Sequence, residues 1–330
     1  MTTALVTGGT GFIGQHLVSA LAARDRKVRV LDRRAPVCAI SGVEYVSGSV
    51  LDAGLVDEML RETNEVYHLA GLPGMWLPNK DDFHAVNFHG TETVIAAARK
   101  RGIARFLHCS TESILFRPAS LQDASGERYL LPPEQMPGVY TRSKMLAEQS
   151  AARAAAAGFP LVIGTPTMPI GSHDHNLTPP TAMLRRFLHG RIQMYLDFIV
   201  NMVDVRDVAA GLILTMERGR IGQRYILGGE SMSLKKILQL MTAISGHRTL
   251  AIPVPGKFAE ATAAMLEFIS DHITHRPPSG TAEGVRIALR ATELSIEKAQ
   301  NELGYAPRPI EPALRDTIAY LLRAPHPQKS

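Results

Sequence analysis

The sequence predicts an α/β protein: a Rossmann-type doubly wound parallel sheet with a smaller, non-contiguous substrate domain. Two observations carry this. In the first half, short β-branched runs alternate strictly with longer helical ones, a pattern that calls for right-handed crossovers and a sheet covered on both faces. The stretch "GGTGFIG", residues 8–14, falls where the first strand passes into the first helix.

Taken in order, the strand-like runs are "ALVTG", "KVRVLD", "EYVSG", "EVYHLAG", "RFLHCST" and "PLVIGTP". Helical spacing is read over residues 12–24, 53–61, 87–101 and 140–157. After Thr165 prolines become frequent ("TPTMPIG", "LTPPTAM", "PVPGK", "RPPSG", "APRPIEP") and helices dominate. One further strand, "RYILGG", is expected to return to the main sheet. The division that follows is a dinucleotide-binding domain over 1–165 plus about 205–228, and a substrate domain over about 166–204 and 229–330. An amphipathic stretch over 257–275 reads as a packed helix or lid, because its acidic residues Glu260, Glu267 and Asp271 would be repelled by anionic lipid. The ending "RAPHPQKS" reads as a frayed tail.

Composition narrows the function. With 330 residues, 45% hydrophobic and 20% charged, the chain can bury a substantial core. No run approaches the roughly 18 apolar residues of a membrane span, and strand-like sequence follows Met1 with no charged leader, so a cytoplasmic location is expected. Cys38 and Cys109 lie far apart and are read as structural, in keeping with a reducing compartment. The net charge of +5 is spread without a block of like charge or basic-aromatic interleaving, which argues against nucleic acid as a partner. His173, Asp174 and His175 lack complementary ligand spacing, so no metal is expected.

The glycine stretch has the setting that a dinucleotide needs. Phe12, Ile13, Leu17, Val18 and Leu21 follow Gly8, Gly11 and Gly14 at helical spacing. Missing side chains would let the backbone approach a pyrophosphate, whose charge then rests on the free amides of the helix start. At the end of the second strand, Asp32 is placed to accept from the adenosine ribose hydroxyls, which favours NAD. Arg33 and Arg34 follow at once and could clamp a 2'-phosphate, so NADP stays open.

Tyr140 and Lys144 stand four residues apart on a strongly helical segment and project from one face. A tyrosine that exchanges a proton near neutrality needs its pKa moved by about three units, or roughly 4 kcal/mol. A nearby ammonium supplies about one to three units, so Lys144, helped by the positive nicotinamide ring, is expected to lower Tyr140.

Together "TGGTGFIG", "VYHLAG", "VNFHGTETVI", "CSTES", "YTRSK" and "MVDVRDVAAG", in this order, resemble the extended short-chain dehydrogenase/reductase family over nearly the whole chain. "TPTMPIG" and "ERGRIGQRYILGGE" resemble the branch of hopanoid-associated sugar epimerases, dihydroflavonol-reductase-like enzymes and 3-beta-hydroxysteroid dehydrogenases. The resemblance implies that Thr111 holds the substrate oxygen, with Ser110 and Ser113 as local rivals, while Tyr140 exchanges the proton and nicotinamide the hydride. It implies a cofactor site of Gly8, Gly11, Phe12, Ile13, Gly14, Asp32, Arg33, Ser49, Val50, Leu69, Ala70, Gly71, Lys144 and Pro166. Asn87 is expected to brace the sheet and His68 to be a packed strand histidine. By the same resemblance, helices 87–101 and 140–157 would form a dimer contact.

Departures from the family bear on the substrate. Ser49 stands where many relatives carry Asp toward the adenine amino group. Thr111, Glu112 and Ser113 replace the Thr-Asp-Glu of the sugar dehydratases, leaving dehydration without its second carboxylate. Met168 stands where many nucleotide-sugar epimerases have an Asn on the diphosphate, and a thioether cannot donate to phosphate. The expected pocket residues Trp76, Met168, His173 and Asn201, with Met75, Phe198 and Asn176 nearby, suit a hydrophobic or mixed small-molecule substrate. The function expected is an NAD(P)-dependent oxidoreductase that interconverts a secondary alcohol and a ketone. The alternative is a sugar or nucleotide-sugar epimerase that works through a transient ketone with retained NAD.

Overall fold

A computed structural model describes residues 2–116 and 131–323. In chain order the strands are β1 (Thr3–Thr7), β2 (Lys27–Asp32), β3 (Glu44–Ser47), β4 (Glu65–His68), β5 (Arg105–Cys109), β6 (Leu161–Pro166), β7 (Met168–Ile170), β8 (Ile192–Tyr195), β9 (Ile199–Asp204), β10 (Arg224–Leu227), β11 (Glu230–Ser233) and β12 (Leu250–Pro253). Seven of them form one parallel sheet in the order β10-β6-β5-β4-β1-β2-β3. β1 is buried along its whole length, as a central parallel strand must be with helices on both faces.

The pleat distributes the core. Ala4 and Val6 of β1 pack with Leu17, Val18 and Leu21 of helix Phe12–Ala22 and with Val208 and Leu212 of helix Val205–Arg218. Leu5, between them, joins Val56, Val94, Ile95, Phe106 and Ala151 on the opposite face, beneath helices Ala53–Met59, Gly90–Lys100 and Val139–Ala156. A one-residue shift in β1 would exchange the two sets between the cores and mismatch the packing of both. The order of connection reverses between β1 and β4, and α/β sheets bind ligands at such a reversal.

The second half departs from the expectation of helices with a single strand. β10 does return to the main sheet, but β7, β9 and β11 form a three-stranded sheet, and β8 pairs with β12. These strands are three to six residues long, and two of them, β7 and β12, contain or end at proline. Their pairing partners are remote in sequence, so no local period announces them. A third core, with Leu184, Val200, Met202, Ile237, Leu314 and Ile318, holds these strands to helices Pro179–His189, Leu234–Ser245 and Ile310–Arg323.

The helix expected over 87–101 starts earlier, at Asp81, and widens into a π turn at His84–His89 before continuing to Lys100. Asp81 and Asp82 stabilise that earlier start at the positive end of the helix dipole. Cys38 is exposed in the connection between β2 and β3 rather than packed, whereas Cys109 is buried. The stretch over 257–275 is a helix, Gly256–Ile269, extended by the π turn Ser270–Thr274. Apart from Arg323, the expected tail lies outside the described residues. Among the described residues no helix is long and apolar enough to cross a membrane.

Candidate active site

The three glycines differ in what they make possible. Gly8 has φ +73, and a side chain there would meet the Ala70 amide at 2.7 Å, because the turn crosses against the end of β4. At Gly14 a Cβ would stand 2.7 Å from the Gly9 Cα, so this glycine lets the helix pack on its own turn. At Gly11 a Cβ would meet only the Gly8 carbonyl, at 3.2 Å. The protein itself gives little reason for a glycine at Gly11, which is the position where a pyrophosphate would approach. Gly11 is also the N-cap of helix Phe12–Ala22, with no side-chain cap and no acidic residue in the first turn. A free helix start beside an unfilled cradle fits a dinucleotide diphosphate.

Asp32 ends β2 beside this turn. Its carboxylate accepts from the amides of Thr10 (3.1 Å) and Arg34 (3.2 Å), so it holds the turn while keeping further lone pairs for a ribose. Arg33 is exposed, and the Arg34 guanidinium bonds Asn176. Ser49 accepts from the Leu51 amide (3.2 Å) and shapes the bend that places Val50 against Gly90. After β4, Leu69 and Ala70 donate to the Thr7 carbonyl (3.0 Å) and Thr7 hydroxyl (3.3 Å). Gly71 lies against Asn87, whose amide joins Leu72 (2.7 Å) to Ser143 (3.0 Å) on the tyrosine-bearing helix. His68 is engaged at both nitrogens, by Thr7 (2.8 Å) and Thr91 (2.9 Å), and burial pushes it down to about 3. A neutral, doubly bonded ring is a packing residue.

Tyr140 and Lys144, one turn apart on helix Val139–Ala156, both reach the carboxyl end of β5. Lys144 Nζ donates to the Cys109 carbonyl (2.9 Å), and the Thr111 side chain lies beside the Tyr140 phenol and draws its pKa down. Phe83 meets the phenol edge-on, ring centroids 5.9 Å apart. The rival Ser110 is turned away: its hydroxyl bonds Glu148, which also pairs with Arg224. Ser113 supplies its amide to Thr111 Oγ1 (3.2 Å). Pro166, at the end of β6, completes this edge beside Leu227.

The electrostatics differ from the sequence-based expectation. Burial pushes the Tyr140 phenol up to about 12, partly opposed by the Thr111 hydrogen bond and reinforced by Glu283, Cys109 and Glu112. Burial lowers Lys144, which is tied to a backbone carbonyl rather than to the phenol. Desolvation therefore outweighs the ammonium, and the phenol holds its proton at neutral pH. Sequence reasoning met Glu112 only as the counterpart of a dehydratase carboxylate and gave it no role here, yet burial pushes its carboxyl up to about 8. The signal was a carboxylate next to Thr111.

The four expected substrate residues go to different places. Trp76 is buried and donates to Asp271 (2.7 Å). Met168 lies in β7 against the third core. Asn201 bridges the Gly229 amide (2.8 Å), the Gly229 carbonyl (3.2 Å) and Ser231 (2.8 Å), which brings β9 to the turn before β11. His173 is exposed at φ +66, with His16 (6.4 Å) and Tyr320 (6.0 Å) as ring neighbours and its carbonyl taken by Gln15 (2.6 Å). None of them makes a hydrogen bond or ring contact with Tyr140, Lys144 or Thr111 among the described residues.

Helix Gly256–Ile269 packs with its acids inward. Glu260 pairs with Arg286 (2.7 Å), Glu267 with Lys80 (3.5 Å), and Asp271, on the π turn, with Lys80 (2.5 Å). Phe258, Met265, Phe268 and Ile273 face outward, each more than half exposed. The acidic residues thus fasten this element to the body instead of standing on its outer face.

Comparisons with known proteins give the family. The model of the NAD dependent epimerase/dehydratase family matches residues 4–228. A protein of Synechocystis sp. provisionally named dihydroflavonol 4-reductase is 33% identical over 324 residues, covering 95% of this chain and 92% of its own. The 4-hydroxy-2-methyl-3-oxo-4-farnesyl-3,4-dihydroquinoline-1-oxide ketoreductase of Stigmatella aurantiaca is 31% identical over 92% of this chain and 91% of its own. The crystal structure of gox2253 superposes with a TM-score of 0.82 at 29% identity, covering 98% of each chain. With the glycine turn at the sheet's reversal and tyrosine and lysine at the end of β5, the chain belongs to the NAD dependent epimerase/dehydratase family, the extended short-chain dehydrogenase/reductases, and is an NAD(P)-dependent enzyme.

Proposed function

We propose that the protein reduces a ketone on a hydrophobic or mixed-polarity small molecule to a secondary alcohol, with Tyr140 as proton donor, Thr111 orienting the substrate oxygen and Lys144 holding the cofactor side of the site. The observation that carries this reading is the placement of Tyr140 and Lys144 one turn apart on one helix at the carboxyl end of β5, with Lys144 on the Cys109 carbonyl and Tyr140 beside Thr111. When bound, the nicotinamide supplies hydride. Gly8, Gly11, Phe12, Ile13, Gly14, Asp32, Arg33, Ser49, Val50, Leu69, Ala70, Gly71 and Pro166 are the residues proposed to hold it. Thr111 donates to or accepts from the substrate oxygen, and Tyr140 passes its proton to that oxygen as charge develops. Trp76, Met168, His173 and Asn201 are the substrate-side candidates, Trp76 through the helix pair that covers it.

The ketoreductase from Stigmatella, named for a farnesyl-bearing ketone, supports this choice of substrate class. Met168, which cannot donate to a diphosphate, weighs against the nucleotide-sugar epimerase. The same reading divides the chain into a cofactor part, 1–165 plus about 205–228, and a substrate part, about 166–204 and 229–330. It also places the enzyme in the cytoplasm as a homodimer through the helices around 87–101 and 140–157.

The test is to follow oxidation of NADH and of NADPH with 3-oxodecanoic acid and with 5α-androstan-3-one as probes. Net oxidation is expected, lost at least 1,000-fold in Tyr140→Phe, while dinucleotide binding by fluorescence is kept. Tightly retained NAD, with no net oxidation and interconversion of two sugar epimers, would establish the epimerase instead.

A further inference from the structure

Helix Ala282–Leu289 runs along the segment that leads into the tyrosine-bearing helix. Arg290 Nη1 donates to the Gln135 carbonyl (3.5 Å) and Arg286 Nη1 to that of Pro137 (3.2 Å). Glu283, 5% exposed, accepts from the Thr141 amide (2.7 Å), the Thr141 hydroxyl (2.7 Å) and the Tyr140 amide (3.3 Å). A side chain at Gly138 would stand 2.7 Å from the Glu283 Cγ, so the glycine that starts the helix leaves room for this carboxylate.

The first amides of a helix have no partner within it, and Gly138, the N-cap, has no side chain to offer them. Glu283 provides, from 143 residues along the chain, what a neighbouring Ser or Asp ordinarily does. A negative charge there also complements the positive end of the helix dipole. The helix of Glu283 is itself fastened down: the Ala282 amide donates to Glu267 (3.1 Å) and Arg286 pairs with Glu260 (2.7 Å). Glu267 and Asp271 then hold Lys80 in the connection that follows β4. One run of polar contacts joins that connection, the helix pair and the first turn of the tyrosine-bearing helix.

We infer that Glu283 is a positioning residue: its carboxylate fixes the first turn of helix Val139–Ala156, and with it the Tyr140 hydroxyl, and couples that hydroxyl to the docked helix pair 256–289. This rests on the proposed role of Tyr140 as proton donor. The titratable groups that face Glu283 are Tyr140 from the tyrosine helix and Glu267 from helix Gly256–Ile269, while Arg286, on its own helix, is turned to the Pro137 carbonyl and Glu260. Burial raises the carboxyl while the amides and hydroxyl of residues 140 and 141 draw it down, and its charge helps to keep the phenol protonated.

The experiment compares Glu283→Gln, which keeps an acceptor oxygen and loses the charge, with Glu283→Ala. The phenol is followed without substrate, by NMR of the full chain with ring-labelled tyrosine, its signal assigned by Tyr140→Phe. Glu283→Gln is expected to move the Tyr140 titration to lower pH by at least half a unit, and the alkaline limb of kcat with the same probe ketones should move with it. Glu283→Ala is expected to lower kcat 10-fold to 100-fold with KM changed less than threefold. An unmoved Tyr140 titration in Glu283→Gln overturns the inference. So does a lower melting temperature in Glu283→Ala with kcat intact. If the titration moves but neither ketone is reduced, the proposed reaction fails and the positioning role stands.

Discussion

At the scale of single residues, similar side chains carry different duties according to what surrounds them. Gly11 and Gly14 are both glycines of one turn, yet a Cβ would stand 2.7 Å from the Gly9 Cα at Gly14 and no nearer than 3.2 Å to the Gly8 carbonyl at Gly11. Gly14→Ala is expected to destabilise the fold by more than about 2 kcal/mol, the range of an overpacked core position. Gly11→Ala should fold within about 1 kcal/mol of the parent and weaken dinucleotide binding at least tenfold. Thermal melts paired with NADH fluorescence titrations distinguish the two.

Glu112 is a second case. Its carboxyl is held up to about 8 by burial, above the ordinary 4.5 of an unfolded glutamate. The native state therefore keeps a proton that the unfolded chain has released. The resulting stability is fully present below the unfolded value and is lost as pH rises through about 8. Glu112→Gln removes this dependence, so its melting temperature should gain on the parent's between pH 5 and pH 9. Parallel curves across that range would mean that the carboxyl is not held in its neutral form.

At the scale of the element, helix Val139–Ala156 is fixed along its length by partners from four other parts of the chain. Glu283 takes its first turn, Asn87 reaches Ser143, the Cys109 carbonyl receives Lys144, and Arg224 of β10 pairs with buried Glu148. The helix is alanine-rich beyond Ser150, with a propensity to form but few large side chains to set its angle. Polar ties set that angle instead. Removing one member of a buried pair leaves the other uncompensated, so Arg224→Met is expected to cost about 3–5 kcal/mol. Urea unfolding would show it, and Arg224→Met with Glu148→Met together should recover part of the loss. The Glu148 carboxylate also holds Ser110 away from the site, so Glu148→Met, which frees that hydroxyl, should lower kcat as well.

At the scale of the whole molecule, three of the four apolar cores among the described residues organise the layers. Two lie on the faces of the seven-stranded sheet, and the third binds β7, β9 and β11 to the later helices. A dinucleotide that binds the native state alone shifts the folding equilibrium by mass action. NAD at a hundred times its dissociation constant should add about 2.7 kcal/mol of stability, seen as a higher melting temperature in the parent and a smaller rise in Gly11→Ala. Equal rises in both proteins would place the dinucleotide elsewhere.

Much of this was determined by local sequence. The glycine turn, the alternating strands and helices, and the four-residue spacing of Tyr140 and Lys144 are short-range patterns, and periodicity reads them directly. The short strands after β6 were not legible, because a three-residue strand with an internal proline becomes one only by pairing with a remote segment. Nor could the sequence choose Thr111 over Ser110, since adjacent residues on a strand end differ only in the face they present, and Glu148 and Arg224 decide that. The upward shift of Tyr140 was not legible for a related reason. A neighbouring ammonium is visible as spacing, whereas desolvation and the charge of Glu283 depend on which distant residues close over the phenol, and that is a property of the packed chain alone.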